Sequence, residues 1–146
     1  MMLKPQKPRS SRFTEILPIC ALVLTSMIFS TATQRAVAED LGTIEARVAR
    51  VVDGDTFKLS GQSQSIRVWG LDAPERNKAG GSAATAALNA LISGQTLSCV
   101  VVDIDRYQRL VGQCFLPDGR DITAAMIMTG TATEYCRYSK GYYGTC

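Results

Sequence analysis

The sequence predicts an all-β/β+α domain, a five-stranded partly open barrel with two short helices, placed after an N-terminal signal peptide. Three observations lead there. Alternating, β-branched runs recur at short spacing from Thr43 onward. Glycine, aspartate and serine turns join the first three runs into a meander. The element order β-β-β-α-β-β-α lacks the strand–crossover–strand alternation of a parallel sheet and fits the OB-fold.

The first 38 residues read as a signal peptide. Met1 to Glu15 carries Lys4, Lys7, Arg9 and Arg12, Ile16 to Phe29 is almost uninterruptedly apolar, and Ala36-Val37-Ala38 is a small-residue cleavage site. The apolar run is short for a span of ~20 residues and contains Pro18, which disfavours a membrane anchor. Pro18 and Ile19 before Cys20 are poor lipobox residues. The expectation is a periplasmic or secreted protein whose mature form, residues 39–146, is a monomeric domain without a membrane span.

Cleavage would change the charge. The whole chain carries 16 Lys+Arg against 13 Asp+Glu, net +3. Lys4, Lys7, Arg9, Arg12 and Arg35 leave with the signal, as does Glu15, so the remaining 11 basic and 12 acidic residues give net −1. Affinity for a polyanion then has to come from a local arginine cluster rather than bulk charge.

Along the mature chain, Thr43 to Val52 alternates as a first strand and Asp53-Gly54 turns. Thr56 to Ser60 is a second strand with Phe57 and Leu59 on one face. After Gly61-Gln62-Ser63, Gln64 to Leu71 is a third, with Ile66 and Val68 facing one way and Arg67 and Trp69 the other. Asp72 to Gly81 is a loop. Ser82 is the expected N-cap of a helix through Ile92, with Leu88, Leu91 and Ile92 as its apolar stripe and Gly94 as its stop. The indole of Trp69 is expected to pack beneath that helix. Thr96 to Asp103 and Leu110 to Leu116 form a hairpin around Arg106 to Gln108; Pro117-Asp118-Gly119 turns; Asp121 to Met128 is a short helix stopped at Gly130. Tyr135 to Cys146, rich in tyrosine and glycine, receives no assignment.

The mature domain holds Cys99, Cys114, Cys136 and Cys146. An even count in an exported domain reads as two disulfides, and four cysteines allow three connectivities. A hairpin centred near residues 106 and 107 puts Cys99 and Cys114 equally far from the turn, so they face each other if no bulge shifts the register. Cys136–Cys146 follows by elimination. Metal ligation by these cysteines is disfavoured by their long spacings and the absence of any C-x-x-C pair.

The chain has no histidine, which removes Ser-His-Asp and Cys-His nucleophile systems and the usual zinc sites. Carboxylates and arginines remain. Asp53-Gly54-Asp55-Thr56 projects Asp55 just past a turn. In Asp72-Ala73-Pro74-Glu75, the proline forces Ala73 into an extended conformation, which aims its carbonyl and the Asp72 carboxylate at one point with Glu75 beyond. Converging carboxylates repel one another without a cation, and mixed carboxylate and carbonyl ligands suit Ca²⁺. Arg67 lies mid-strand, ordinarily a solvated position. Arg106 and Arg109 flank Tyr107 at a hairpin tip.

Taken together, DGDT, then R-x-x-x-x-D-A-P-E, then D-R-Y-x-R resemble the staphylococcal nuclease (thermonuclease) family from about Ala46 to Tyr138. The resemblance implies an OB-fold phosphodiesterase that needs Ca²⁺ and acts on DNA or RNA. It implies metal ligation by Asp55, Asp72 and the Ala73 carbonyl, with Asp53 bordering the site through water. It implies Glu75 as general base, Arg67 and Arg109 as phosphate-binding catalytic arginines, and Tyr107 against the nucleotide. Gln108 stands where the family usually has glycine, at a turn where a positive φ would strain a residue with a side chain. The competing expectation, from a different class, is a non-catalytic exported OB-fold binding module or an accessory protein of exopolysaccharide or envelope biogenesis.

Overall fold

The computed structural model describes residues 41–146; the expected signal peptide, residues 1–38, lies outside the described residues. Five strands form the barrel. β1 (Thr43–Val51), β2 (Thr56–Leu59) and β3 (Ser65–Val68) make the meander, and β5 (Thr96–Ile104) and β6 (Leu110–Phe115) the later hairpin. The order around the barrel is β1-β2-β3-β6-β5. β1 pairs antiparallel with both β2 and β5, which seals one side. The other side closes through a parallel ladder between β3 and β6, with Ile66 opposite Leu110 and Arg67 opposite Val111. The barrel is therefore closed rather than partly open. Both strands bury apolar residues at these rungs, so opening the seam would expose Ile66, Val68 and Leu110.

The core follows from period-2 alternation. Phe57, Leu59, Ile66 and Val68 point inward and are at most 2 % exposed. Burying a side chain such as Phe57 contributes about 1.5–3 kcal/mol. Helix α1 (Gly81–Ile92) covers the barrel with Ala84, Leu88 and Ile92, and Leu91 is only half-buried at its edge. Its N-cap is Gly80 rather than Ser82. The first turn lies so close to the preceding loop that a Cβ at Gly81 would overlap the Glu75 carbonyl, and this contact starts the helix before the serine. Helix α2 (Ile122–Met128) is capped by Asp121, whose carboxylate accepts from the Ala124 N–H at 3.1 Å.

The third strand ends three residues before its expected limit. Gly70 turns with φ 73°, and the chain re-forms as β4 (Leu71–Asp72), which pairs with β7 (Thr133–Glu134) in a separate two-stranded sheet. A Cβ at Gly70 would also meet the Tyr143 ring at 2.8 Å. The tail then adds a third helix, the single turn α3 (Cys136–Ser139). Trp69 packs against this tail, not beneath α1: its ring centroid lies 5.4 Å from that of Tyr142 and 5.9 Å from that of Tyr143.

Cys99 is bonded to Cys114 and Cys136 to Cys146. The pairing is reached through a bulge rather than without one: Ile104 faces Leu110 and Asp103 faces Val111, which centres the hairpin on Tyr107, and the one-residue shift between Val101 and Asp103 then brings Cys99 opposite Cys114. Among the described residues no helix is long and apolar enough to cross a membrane.

Candidate active site

The site forms where β2, β3, β4 and the β5–β6 hairpin meet. Asp55 leaves the Asp53-Gly54 turn with its N–H donating to the Asp53 carboxylate at 3.1 Å, so Asp53 orders the turn itself. The Asp55 side chain then points inward, and the residue is 9 % exposed. One carboxylate oxygen accepts from the Thr56 hydroxyl at 2.9 Å; the other faces the Ala73 N–H at 3.4 Å and pairs with the Arg67 guanidinium.

Arg67 is not a solvated face residue, since its side chain is only 15 % exposed. Its Nη2 donates to the Leu71 carbonyl at 3.1 Å. Burial, followed by the nearby positive charge of Arg109, pushes its pKa below the usual arginine value, while Asp53, Asp72 and Glu75 oppose that shift. Asp72 and Glu75 line the same cleft as this guanidinium.

Arg109 is held from the hairpin tip. The Asp105 carboxylate accepts backbone N–H groups from Tyr107 and Arg109 at 2.9 Å each, and the Arg109 Nε–H at 2.7 Å. Burial opposes ionisation of Asp105, but these bonds prevail and its pKa falls below the ordinary carboxylate value. Nη1 of Arg109 crosses to the Thr56 hydroxyl at 3.2 Å, which ties this arginine to the strand beside Arg67. Asp105 therefore positions Arg109, a role that sequence reasoning missed. Its signal was present as an aspartate opening a tight turn.

Tyr107 is 64 % exposed. The guanidinium carbon of Arg106 lies 4.8 Å from its ring centroid and that of Arg109 5.3 Å. Nη2 of Arg106 also donates to the Tyr107 hydroxyl at 2.7 Å. Gln108 adopts φ 62°, and its carbonyl accepts from the Gln64 amide at 2.9 Å, so the turn keeps the left-handed conformation expected at this position.

Asp72 ends β4 and Glu75 lies in the following loop, both exposed. The Glu75 carbonyl accepts from the Lys78 N–H at 2.8 Å, and Gly81 packs against the same peptide. A cleft of about 670 Å³ brings Arg67, Asp72, Glu75, Tyr107 and Arg109 onto one surface. Asp55 adjoins it through Arg67, and Ala73 through the Asp55 carboxylate. The tail adds Tyr135, Arg137 and Tyr138 to the lining, none of which had a role assigned from sequence.

The donor chemistry fits a hard divalent cation. Asp55, Asp72 and the Ala73 carbonyl are oxygen donors of the kind such a cation takes, and Asp72 and Glu75 open onto the same cleft. A second group, Glu134 with Cys136 and Cys146, offers no thiolate because both sulfurs are in the disulfide.

Comparison with known proteins gives a consistent pattern. The family model described as staphylococcal nuclease homologue matches residues 65–145. An uncharacterized endonuclease of Escherichia coli O157:H7 is 36 % identical over 98 residues, covering 66 % of this chain and 64 % of that protein. A micrococcal nuclease of Shigella flexneri is 35 % identical over 103 residues, 64 % of this chain and 59 % of its own. The succinoglycan biosynthesis protein ExoI of Rhizobium meliloti is 32 % identical over 108 residues, 66 % of this chain and 56 % of its own. The chain thus spans less than two thirds of the length of these relatives.

Proposed function

The chain belongs to the staphylococcal nuclease homologue family, and from that membership we propose that it is an exported, Ca²⁺-dependent endonuclease hydrolysing phosphodiester bonds in DNA or RNA. The observation that carries this reading is the convergence of Arg67, Asp72, Glu75 and Arg109 on one cleft. All four lie inside the stretch that the family model matches.

Asp55, Asp72 and the Ala73 carbonyl would hold the Ca²⁺, which would supply neutralisation of phosphate charge and orientation of a water. Glu75 makes no side-chain hydrogen bond with a described residue, so its carboxylate is free to take the proton of the attacking water. Attack is in line on phosphorus. Arg67 and Arg109 face the equatorial oxygens and meet the charge that builds there with the N–H groups left over from Asp55, the Leu71 carbonyl, Asp105 and Thr56. Asp105 and Thr56 keep Arg109 in that orientation. The 5′-oxygen departs, leaving a 3′-phosphate end. Tyr107 lies against the nucleotide.

Export is supported by the basic, apolar and A-x-A segments at the start of the chain and by two disulfides, which suit an oxidising compartment. The protein acts as a monomer in the periplasm or outside the cell.

Cleavage of single-stranded DNA, followed with added Ca²⁺ and after exhaustive chelation, tests the reading. Loss of cleavage on chelation and its return with Ca²⁺ support it; full activity in the chelated sample overturns the metal assignment. The similarity to a succinoglycan biosynthesis protein favours a second reading, a non-catalytic module that serves exopolysaccharide assembly. Binding of a glycan with no cleavage under any divalent cation would establish that alternative.

A further inference from the structure

The cleft contains four arginines, and three of them are engaged within the protein. Arg67 pairs with Asp55 and donates to the Leu71 carbonyl. Arg109 is held by Asp105 and Thr56. Arg106 bonds the Tyr107 hydroxyl and lies over its ring. Arg137 makes no hydrogen bond or ion pair with any described residue and is exposed, yet it lines the same cleft. It comes from a different part of the chain, the tail, on the single turn α3.

That turn is fastened at both ends. Cys136, its first residue, is bonded to Cys146. Glu134, just before it, accepts bonds from the Ser139 hydroxyl at 2.5 Å, the Tyr143 N–H at 3.0 Å and the Thr145 N–H at 2.9 Å. The backbone that carries Arg137 is therefore ordered before any ligand arrives, which lowers the entropy cost of using its charge.

A nucleic-acid strand carries one negative charge per nucleotide, so a strand whose scissile phosphate sits at Arg67 and Arg109 brings its neighbouring phosphates along the cleft. Asp72, Glu75 and Asp103 on the lining repel them. We propose that Arg137 binds a phosphodiester adjacent to the scissile one on the same strand, and that the cleft thereby selects a polynucleotide over a substrate with a single phosphodiester. This inference rests on reading the cleft as a nuclease site.

The test compares the parent with Arg137→Ala and Arg137→Lys on two substrates, a single-stranded oligodeoxynucleotide and a dinucleoside monophosphate. In Arg137→Ala the ratio of kcat/KM between the oligonucleotide and the dinucleoside monophosphate should fall about fivefold, the size of one solvent-accessible charge contact. Oligonucleotide binding measured by fluorescence anisotropy in EDTA should lose about 0.7 from its log K against log salt slope, the contribution of one single-strand phosphate contact. Arg137→Lys, which keeps the charge, should hold the parental slope. An unaltered ratio, an equal fall on both substrates, or an unaltered slope in Arg137→Ala overturns the proposal. If the parent cleaves neither substrate, the nuclease reading fails, and the binding slope alone then supports or overturns the phosphate contact.

Discussion

Asp55 and Arg67 form an ion pair one position off the β2–β3 ladder, where Thr56 sits directly opposite Arg67. The offset lets a carboxylate and a guanidinium meet at the end of the barrel while Thr56 turns its hydroxyl to Arg109. Removing Asp55 leaves Arg67 with only the more distant acids Asp53, Asp72 and Glu75. In the absence of metal, Asp55→Ala is expected to cost about 1–2 kcal/mol of stability, less than for a fully buried pair because those acids remain. Adding Arg67→Met should recover part of that loss. Urea unfolding of the two single variants and the double variant measures the coupling, and strictly additive costs would show that the pair contributes nothing.

Glu75→Gln preserves shape but cannot accept a proton, and Arg109→Lys preserves charge but loses the fork that Asp105 orients. Each should slow single-turnover cleavage at saturating Ca²⁺ by ~10²–10³-fold. Nucleotide affinity, measured separately, should change far less for Glu75→Gln. Arg106→Lys is the control, because Arg106 is exposed and bonds only Tyr107. Parental rates in Glu75→Gln and Arg109→Lys would show that the chemistry lies elsewhere.

Glu134 gives the acid limb of stability. Burial opposes its charge, but hydrogen bonds from Ser139, Tyr143 and Thr145 prevail and lower its pKa from 4.5 to about 2. A carboxyl depressed in the folded state stabilises it above the unfolded pKa, and that contribution disappears as pH falls from 4.5 towards 2. Thermal melts across this range should show a steeper decline for the parent than for Glu134→Gln. Matching slopes would remove Glu134 from the acid response.

Gln108 occupies a left-handed conformation at φ 62°. Gln108→Gly relieves the side-chain penalty there and adds chain entropy to the unfolded state, for an expected net gain of about 0.5–1 kcal/mol. The Gln64 bond is to the residue 108 carbonyl and survives the change. Denaturant midpoints decide it, and a lower midpoint would mean that the side chain contributes contacts.

The barrel was legible because its inward residues obey a two-residue period. Phe57 and Leu59, and Ile66 and Val68, each declare a strand without knowledge of its partner. Closure between β3 and β6 was not, because a parallel pairing joins strands distant in sequence and leaves no local turn signal. The break at Gly70 and the tail have a similar cause. The Cys136–Cys146 bridge was legible, but Glu134 organises the tail through hydrogen bonds that carry no motif, and the tail's tyrosines draw Trp69 away from α1. At the site, motif spacing located Asp55, Arg67, Asp72, Glu75 and Arg109 around one region. It was silent on Asp105 as the support of Arg109, since that role depends on hydrogen bonds of a folded turn, and on Arg137, which reaches the cleft only through tertiary placement.

The parallel β3–β6 ladder has a consequence for how this site tolerates change. Arg67 lies opposite Val111, and Arg109 directly precedes Leu110, the partner of Ile66. The spacing between the two arginines is therefore dictated by neighbouring rungs of one hydrogen-bond ladder, not by the stretch of chain that runs from one to the other. That stretch carries Asp72, Ala73 and Glu75 and is held by its own contacts, not by the ladder. Changes at residues 76–79 therefore leave the two guanidiniums at their separation and act instead on Glu75, whose carbonyl receives the Lys78 N–H and whose peptide packs against Gly81.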